Sequence, residues 1–304
     1  MKTIIDTLQL YTEKNPSAPI LFDDAYSKGI TYAQLDDMSG RVYGWLKAKK
    51  IGREDFVLID LPRGVLPVIA MIGVWKAGAA WALVEDTYAP ERIDYIRTDC
   101  GCKQEISIEN WDEIMRVTPL EGHENPDEHD AAYAIYTSGT TGNPKGVLHE
   151  YGNLQQAIDS IRIDGEVPFT EKDRLATLAP MNFVATVIVI LAALNVYCGK
   201  NYIVSYSTIK NPTALSRFFL TKRISITFLT PSYERKLCSN TGPFLRMLFV
   251  GSEPANNVLT CCLYGLTALF GGPGLWSAWP AAELISCFIT VCVLRKFRSI
   301  YQYA

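Results

Sequence analysis

Short apolar runs alternate with longer amphipathic or apolar stretches along residues 1–257. Runs with the length and composition of buried strands lie at 18–22, 56–61, 78–84, 131–136, 175–179, 201–205, 226–230 and 247–251. Stretches with helical length or periodicity lie at 4–15, 31–46, 65–76, 92–98, 149–161, 183–197 and 212–221. Because strands joined by helices pair in parallel, this order predicts an α/β fold with largely parallel sheets.

Two details refine that prediction. Thr31 is expected to cap the helix that follows it, with Leu35, Met38, Val42 and Trp45 on one face. Residues 103–130 are polar, and their apolar residues follow neither a helical nor a strand periodicity. We therefore expect an irregular surface connection there. The aromatic residues Trp75 and Trp81 are expected to pack in the core.

The composition indicates a globular protein with a slight excess of acids. The 304 residues are 48% hydrophobic and 20% charged, with a formal net charge of −3. This balance argues against nucleic acid as the main partner, since binding phosphates requires a basic surface. The eight cysteines show no zinc-binding spacing, so we expect reduced thiols and no protein-borne metal site. The amphipathic N-terminus lacks a signal core, which favours a cytoplasmic location.

The C-terminal part has a different character. From residue 258 to 294 the only charged side chain is Glu283. The segment 275–294 is long enough to span a bilayer, and Arg295, Lys296 and Arg298 follow at once. We therefore expect a domain over 1–257 and a short apolar helical tail over 258–304. The tail would either contact a membrane through 275–294 or pack as a buried apolar hairpin.

A loop rich in glycine and small hydroxylated residues follows the predicted strand at 131–136. Its sequence is Tyr136-Thr137-Ser138-Gly139-Thr140-Thr141-Gly142-Asn143-Pro144-Lys145-Gly146. Glycines allow a ligand to approach the backbone, and N–H groups, hydroxyls and a lysine can surround phosphate oxygens. The residues alone therefore predict a polyphosphate-binding loop, between a strand and a helix. It is not a Walker A loop, because Lys145 precedes Gly146 and no Ser or Thr follows at that spacing.

This loop resembles the phosphate-binding loop of the adenylate-forming (AMP-binding) superfamily. Further stretches resemble the same family in the same order, most closely the adenylation domains of non-ribosomal peptide synthetases. They are the segment 31–35 (TYAQL), the segment 75–81 (WKAGAAW), the segment 88–92 (YAPER) and the segment 250–254 (VGSEP). The resemblance covers residues 1–257 and implies ATP-dependent activation of a carboxylic acid as an acyl adenylate.

The resemblance also implies roles for individual residues. The phosphates of ATP would be bound by Thr137, Ser138, Gly139, Thr140, Thr141, Gly142, Lys145 and Gly146, and Lys145 would be catalytic. The adenine would lie beside Gly251, Ser252, Glu253 and Pro254. Mg²⁺ would sit on the phosphates, and the acyl acceptor would be a carrier-protein thiol or coenzyme A.

Two departures from the family pattern leave the activity open. Amino-acid-activating members carry an aspartate that binds the substrate ammonium, whereas this chain has Phe183 and Val184 in the matching stretch. Phe183 and Val184 would then be the substrate-binding residues, and the acid would either lack an α-amine or be held in a different way. In addition, the YGxTE element, the ribose-binding aspartate and the terminal-domain lysine of the family are not recognisable. A truncated, impaired enzyme and a non-catalytic nucleotide-binding module both remain open.

The apolar tail bears a second resemblance. Residues 269–284 (LFGGPGLWSAWPAAEL) are similar to the end of a multidrug exporter of the MATE type. This resemblance implies a third reading, a membrane-tethered fusion remnant of a transporter.

Overall fold

Alternating helices and strands build the first of two compact units, Met1–Leu215 and Ser216–Ala304. The computed structural model describes residues 3–137, 144–160, 169–196, 199–229, 244–245 and 247–250. The helices in these ranges are α1 (Ile4–Lys14), α2 (Tyr32–Ala48), α3 (Val65–Lys76), α4 (Pro90–Asp99), α5 (Ile108–Ile114), α6 (Tyr151–Ser160), α7 (Val184–Leu194), α8 (Tyr206–Lys210) and α9 (Pro212–Lys222).

The strands of the described ranges are β1 (Pro19–Phe22), β2 (Ile30–Thr31), β3 (Phe56–Asp60), β4 (Ala80–Leu83), β5 (Gln104–Ser107), β6 (Ala131–Thr137), β7 (Lys145–Glu150), β8 (Arg174–Thr177), β9 (Lys200–Ile203), β10 (Ile226–Leu229) and β11 (Met247–Val250). In the first unit one sheet has the order β5-β3-β4-β6-β7, parallel except for β7. A second run has the order β8-β9-β1-β2, parallel except for β2.

In the second unit, β10 and β11 form a parallel pair, with Phe228 opposite Phe249. The strand pairing of both units confirms the predicted α/β fold with largely parallel sheets.

The main core of the first unit connects both strand groups through helices. Residues of α1, α2, α3 and α7 pack with one face of β3, β4 and β6 and with β1 and β9. Trp75 and Trp81 are at most 1% exposed, which confirms that they are core residues. A smaller cluster covers the opposite face of β3, β4 and β6, where Leu58, Ala82 and Ala134 contact Ile96 of α4. The sheet is therefore buried on both faces, as parallel sheets are.

Local signals explain where α2 begins. Thr31 accepts a hydrogen bond from the N–H of Gln34 at 3.2 Å, and the Gln34 side chain accepts one from the N–H of Thr31 at 2.9 Å. This reciprocal capping satisfies donors that the first helical turn leaves free. Leu35, Val42 and Trp45 are buried, as the periodicity predicts.

The prediction of an irregular connection over 103–130 is wrong for its first part and confirmed over 115–130, which form no helix or strand. Gln104–Ser107 forms β5, which pairs in parallel with β3, and Ile108–Ile114 forms α5. The strand lies at the sheet edge, and only Ile106 and Ser107 in it are buried, so its apolar signal is weak. Ser107 and Asn110 form a capping box at the start of α5, which is a sequence signal that periodicity does not detect.

Residues 258–304 lie outside the described residues, so the apolar tail and the segment 275–294 remain predictions. Among the residues that are described, no helix combines the length and apolar composition that crossing a bilayer requires.

Candidate functional site

The predicted phosphate loop connects two antiparallel strands. Thr137 ends β6 and pairs with Lys145, the first residue of β7, and Tyr136 pairs with Gly146. Thr137, Lys145 and Gly146 are exposed, and no ion pair of Lys145 occurs among the described residues. The hairpin thus brings the two ends of the loop together and leaves a lysine accessible. Between them Ser138, Gly139, Thr140, Thr141 and Gly142 lie outside the described residues.

The helix expected over 149–161 is confirmed as α6, Tyr151–Ser160. The strand β7 over Lys145–Glu150, which lies between the loop and this helix, was not predicted. The reason is pairing along the hairpin, where His149 lies opposite Tyr133 and Val147 opposite Ile135. β7 is a short edge strand whose residues are mostly exposed. Its sequence therefore lacks the alternation of apolar and polar residues that predicts a half-buried strand.

Tyr136 supports the base of the hairpin. Its hydroxyl donates a hydrogen bond to Asp99 Oδ2 at 2.7 Å. Burial, reinforced by Asp99, raises the pKa of Tyr136, so the phenol remains a donor at neutral pH. A Cβ added at Gly146 would lie 2.9 Å from Cζ of the Tyr136 ring, closer than packed carbons tolerate. Glycine at this position therefore lets the second strand lie against the tyrosine.

A column of aromatic rings extends from the hairpin into the core. His149 stacks on Tyr133 with ring centroids 4.5 Å apart, and Tyr133 stacks on Trp81 at 4.9 Å. Trp75 lies beside Trp81 and donates from Nε1 to the Ala132 carbonyl at 2.9 Å. Burial lowers the pKa of His149, so the ring in the column is neutral at neutral pH. Through this stacking the hairpin packs against buried aromatic residues of the core.

The predicted substrate residues lie at the start of α7. Phe183 is the N-cap and Val184 the first helical residue, and both are partly buried. The preceding Asn182 donates from its backbone N–H to Glu85 Oε1 at 3.1 Å. Glu85 comes two residues after β4, the strand that pairs with β6. The start of α7 is therefore held at the same carboxyl edge of the sheet from which the phosphate loop leaves.

A polar network at this edge was not predicted. Glu85 is 4% exposed, and its Oε2 accepts a hydrogen bond from the Tyr206 hydroxyl at 2.7 Å. The side chain of Asn182 donates to the Tyr88 hydroxyl, on whose ring the Arg92 guanidinium lies at 3.9 Å. These contacts join the loop after β4 to the starts of α7 and α8.

Arg63 completes this network. Its guanidinium donates to the carbonyls of Thr177, Ala179 and Val204 at 2.7 to 2.8 Å and lies 4.8 Å from the Tyr206 ring. Burial lowers the pKa of Arg63, although an arginine stays charged in any case. Polar residues directly after buried parallel strands mark the carboxyl edge, and Arg63 and Glu85 could have been found by that signal.

The predicted adenine residues Gly251, Ser252, Glu253 and Pro254 lie outside the described residues. The strand expected to lead to them is confirmed as β11, which runs up to Val250. In the part of the chain that the structure describes, no cluster of His, Cys, Asp and Glu side chains could hold a metal ion.

Comparison with known proteins gives one family. The profile of the family described as "AMP-binding enzyme" matches residues 8–292. Surfactin synthase subunit 1 of Bacillus subtilis (strain 168) is 29% identical over 258 residues, which are 79% of this chain and 7% of that protein. Gramicidin S synthase 1 of Brevibacillus brevis is 27% identical over 250 residues, 76% of this chain and 22% of that protein. The chain thus spans a small part of these relatives.

Solved structures share the fold. The N-terminal domain of FACL13 from Mycobacterium tuberculosis superposes with a TM-score of 0.72 at 20% identity, over 84% of this chain and 71% of that one. The N-terminal subdomain of Klebsiella oxytoca NpsA, solved in complex with 3-hydroxyanthranilyl-AMSN, gives a TM-score of 0.73 at 20% identity, over 87% and 69%. At this level of identity the likeness concerns the fold.

Proposed function

Because the chain belongs to the family of AMP-binding enzymes, we propose that it binds ATP and activates a carboxylic acid as an acyl adenylate. The observation that carries the proposal is the β6–β7 hairpin, which pairs Thr137 with Lys145 at the two ends of a glycine- and hydroxyl-rich loop. Adenylate-forming enzymes of this family use ATP and Mg²⁺ in general.

In this proposal the loop binds the β- and γ-phosphates. Thr137 contributes its hydroxyl at the end of β6, and the Lys145 ammonium neutralises negative charge on the phosphates. Ser138, Gly139, Thr140, Thr141, Gly142 and Gly146 supply backbone N–H groups and hydroxyls. The exposure of Thr137, Lys145 and Gly146 fits this role, because a polyphosphate needs an open approach. Mg²⁺ would sit on the phosphates and offset their charge.

The adenine would be bound at Gly251, Ser252, Glu253 and Pro254. The acid would lie near Phe183 and Val184, at the edge of the sheet where the loop begins. Val184 offers no negative charge, so we propose an acid without an α-ammonium group. Its carboxylate attacks the α-phosphorus of ATP, and pyrophosphate leaves. Catalysis would consist mainly of positioning the two reactants and stabilising charge. Family members pass the acyl group to a carrier-protein thiol or to coenzyme A, and either could be the acceptor.

The test combines ATP affinity with substrate-dependent pyrophosphate exchange. Calorimetry with ATP·Mg²⁺ should show binding that weakens by about tenfold in Lys145→Ala, the equivalent of one lost charge-assisted contact. Lys172→Ala is the matched control, because Lys172 is an exposed lysine outside the hairpin and should leave the affinity unchanged. Equal affinity in wild type and Lys145→Ala contradicts the proposed role of the loop.

The exchange assay uses a panel of aryl, fatty and amino acids. We expect exchange with an aryl or fatty acid and slower exchange with amino acids. We also expect rates below those typical of enzymes, with kcat under about 1 s⁻¹, since the YGxTE element, the ribose aspartate and the terminal lysine are not recognisable. ATP binding without exchange for any acid would instead identify a nucleotide-binding module without turnover.

A further inference from the structure

Two cysteines flank the turn that leaves α4. Cys100 is the C-cap of the helix, and Cys102 lies two residues before β5. Gly101 between them has φ = +60°, a conformation that glycine adopts without strain. Both cysteines are partly buried and unbonded to any other cysteine, and both pack against the cluster formed by α4 and the outer face of β3, β4 and β6.

The two thiols are chemically unequal. The Cys100 thiol donates a hydrogen bond to the Arg97 carbonyl, with the sulfur 3.7 Å from the oxygen. The neighbouring Cys100 side chain lowers the pKa of Cys102 to about 7. The neighbouring Cys102 side chain and burial raise the pKa of Cys100. Glu105 and Arg97, paired at 2.9 Å, act on the pKa of Cys102 in opposite directions, Glu105 raising it and Arg97 lowering it. Near neutral pH Cys102 is therefore partly a thiolate, whereas Cys100, on the other side of Gly101, remains a thiol.

We propose that Cys100 and Cys102 form a reversible thiol–disulfide pair that is oxidised by hydroperoxides. The Cys102 thiolate attacks the peroxide O–O bond, which gives a sulfenic acid on Cys102 and releases hydroxide or alkoxide. The Cys100 thiol then attacks the Cys102 sulfur, the S–S bond forms, and water leaves. The sulfurs lose two electrons and the peroxide gains them. A disulfide across a single residue is strained, so a dithiol reductant readily reopens it.

Formation of the Cys100–Cys102 disulfide should change the β6–β7 hairpin. Asp99 is the neighbour of Cys100 and accepts the hydrogen bond of the Tyr136 hydroxyl at 2.7 Å. Joining the sulfurs pulls the last turn of α4 toward Cys102, and Gly101 gives the backbone room, since nothing lies within 4 Å of a Cβ added there. The oxidised turn therefore weakens the Asp99–Tyr136 contact and loosens the end of β6. This coupling does not depend on what the hairpin binds.

Peptide mapping isolates the pair from the other six cysteines. Cleavage after Arg97 and Lys103 releases residues 98–103 (TDCGCK), which contain only Cys100 and Cys102. The full-length chain is treated with hydrogen peroxide, alkylated and digested. We expect the peptide to be two hydrogens lighter and unalkylated, and a dithiol reductant to restore both alkylation sites. A peptide that stays fully reduced while cysteines elsewhere oxidise overturns the proposal.

Serine variants separate the two roles. In Cys102→Ser the remaining Cys100 should oxidise about tenfold more slowly than Cys102 does in the wild type, because the thiolate is the nucleophile. In Cys100→Ser, Cys102 should oxidise at a similar rate and proceed to the sulfinic acid, since no thiol resolves it. Equal peroxide reactivity of the two single variants contradicts the assignment of Cys102 as the attacking sulfur.

Amide hydrogen exchange tests the coupling to the hairpin. In the oxidised wild type, peptides covering β6 should exchange roughly threefold faster than in the reduced protein. Peroxide should cause no such change in Cys100→Ser, which cannot close the disulfide. Asp99→Asn, with the disulfide open, should imitate part of the increase. Unchanged exchange over 131–137 when the peptide map shows full oxidation refutes the coupling.

Discussion

His149 lies in the β6–β7 hairpin, where partial burial disfavours the charged form of its ring. Its ring is stacked on Tyr133 with an interplanar angle of 6°, so the tyrosine ring covers one face of the imidazole. Burial lowers the pKa of His149 because the imidazolium form would lose hydration. Protonation of His149 therefore destabilises the folded hairpin. The imidazole stabilises the hairpin most when it is a neutral aromatic ring.

Replacing His149 by Phe should change how stability depends on pH. The pKa of the folded state lies below the unfolded value of about 6.5, so the unfolded chain binds the proton first as pH falls. The wild type should therefore lose stability relative to His149→Phe as the pH drops below about 6.5, whereas the difference should stay constant above that pH. Urea unfolding of both proteins between pH 8 and pH 5 measures the difference.

His129 provides a control of opposite sign. Its pKa is raised, chiefly by a hydrogen bond with Glu150 at 3.1 Å, and its side chain is exposed. Any stabilisation from this pair is complete below the unfolded pKa and disappears as pH rises through the folded pKa. His129→Gln should therefore lose stability relative to the wild type at low pH. The same trend in both variants would show that a general acid effect, and not the buried ring, is being measured.

At the scale of elements, α2 and α3 approach each other closely at Gly73. A Cβ added at Gly73 would lie 2.4 Å from Cβ of Val42 and 2.9 Å from the Ser39 carbonyl oxygen. Neither contact can move easily, since one atom belongs to a buried branched side chain and the other to the backbone. The absence of a side chain at Gly73 therefore sets the distance between the helices.

Gly73→Ala should destabilise the protein although alanine favours helices. The gain in helix propensity is about 1 kcal/mol, whereas overpacking of a core at this distance costs about 3 kcal/mol. We expect the free energy of unfolding to fall by about 2 kcal/mol, measured by urea denaturation. Gly52→Ala is the matched control, because the nearest atom there is the Ala77 carbonyl at 3.9 Å. An effect of Gly73→Ala within about 0.5 kcal/mol of the control would refute the packing argument.

Elements with a strong buried pattern could be predicted from the sequence. Val65–Lys76 was found with its exact bounds because apolar residues run through all of it, and Thr31 was found because its side chain caps α2. The strands β5 and β7 were missed for a common reason. Each lies at a sheet edge, where one side is exposed and pairing with a neighbour decides the conformation. The contacts of Arg63 and Glu85 depend on strands far apart in sequence, and no local pattern contains them.

At the scale of the whole molecule, Arg63 connects the two strand groups of the first unit. It follows β3 in the first sheet, and its three acceptor carbonyls lie at the carboxyl ends of β8 and β9 in the second group. The same guanidinium lies over the Tyr206 ring, and the Tyr206 hydroxyl donates a hydrogen bond to Glu85 in the loop after β4. One side chain thus donates to carbonyls of two separate segments, 177–179 and the residue after β9, at the edge where the phosphate loop begins. The Thr177 carbonyl also accepts a hydrogen bond from the Val204 N–H at 3.1 Å.

Arg63→Met should remove these donors and keep much of the apolar volume. The carbonyls of Ala179 and Val204 would then lose this donor, while that of Thr177 keeps the Val204 N–H. We expect the free energy of unfolding to fall by about 3 kcal/mol. Arg63→Lys should lose about 2 kcal/mol, because an ammonium cannot reproduce the planar fork that reaches all three oxygens. Urea unfolding measures both values, and amide exchange should rise in β8 and β9 first.

The control for this prediction is Arg53→Met. Arg53 pairs with Asp130 at 2.6 Å, but its side chain is 62% exposed, so its loss should cost much less stability than the loss of Arg63. If Arg63→Met were no more damaging than Arg53→Met, the carbonyls of Ala179 and Val204 would be satisfied without the guanidinium. A loss confined to β3, with exchange in β8 and β9 unchanged, would show that Arg63 supports only its own loop. The expected pattern, a larger loss that spreads to β8 and β9, follows only if the guanidinium holds the two strand groups together.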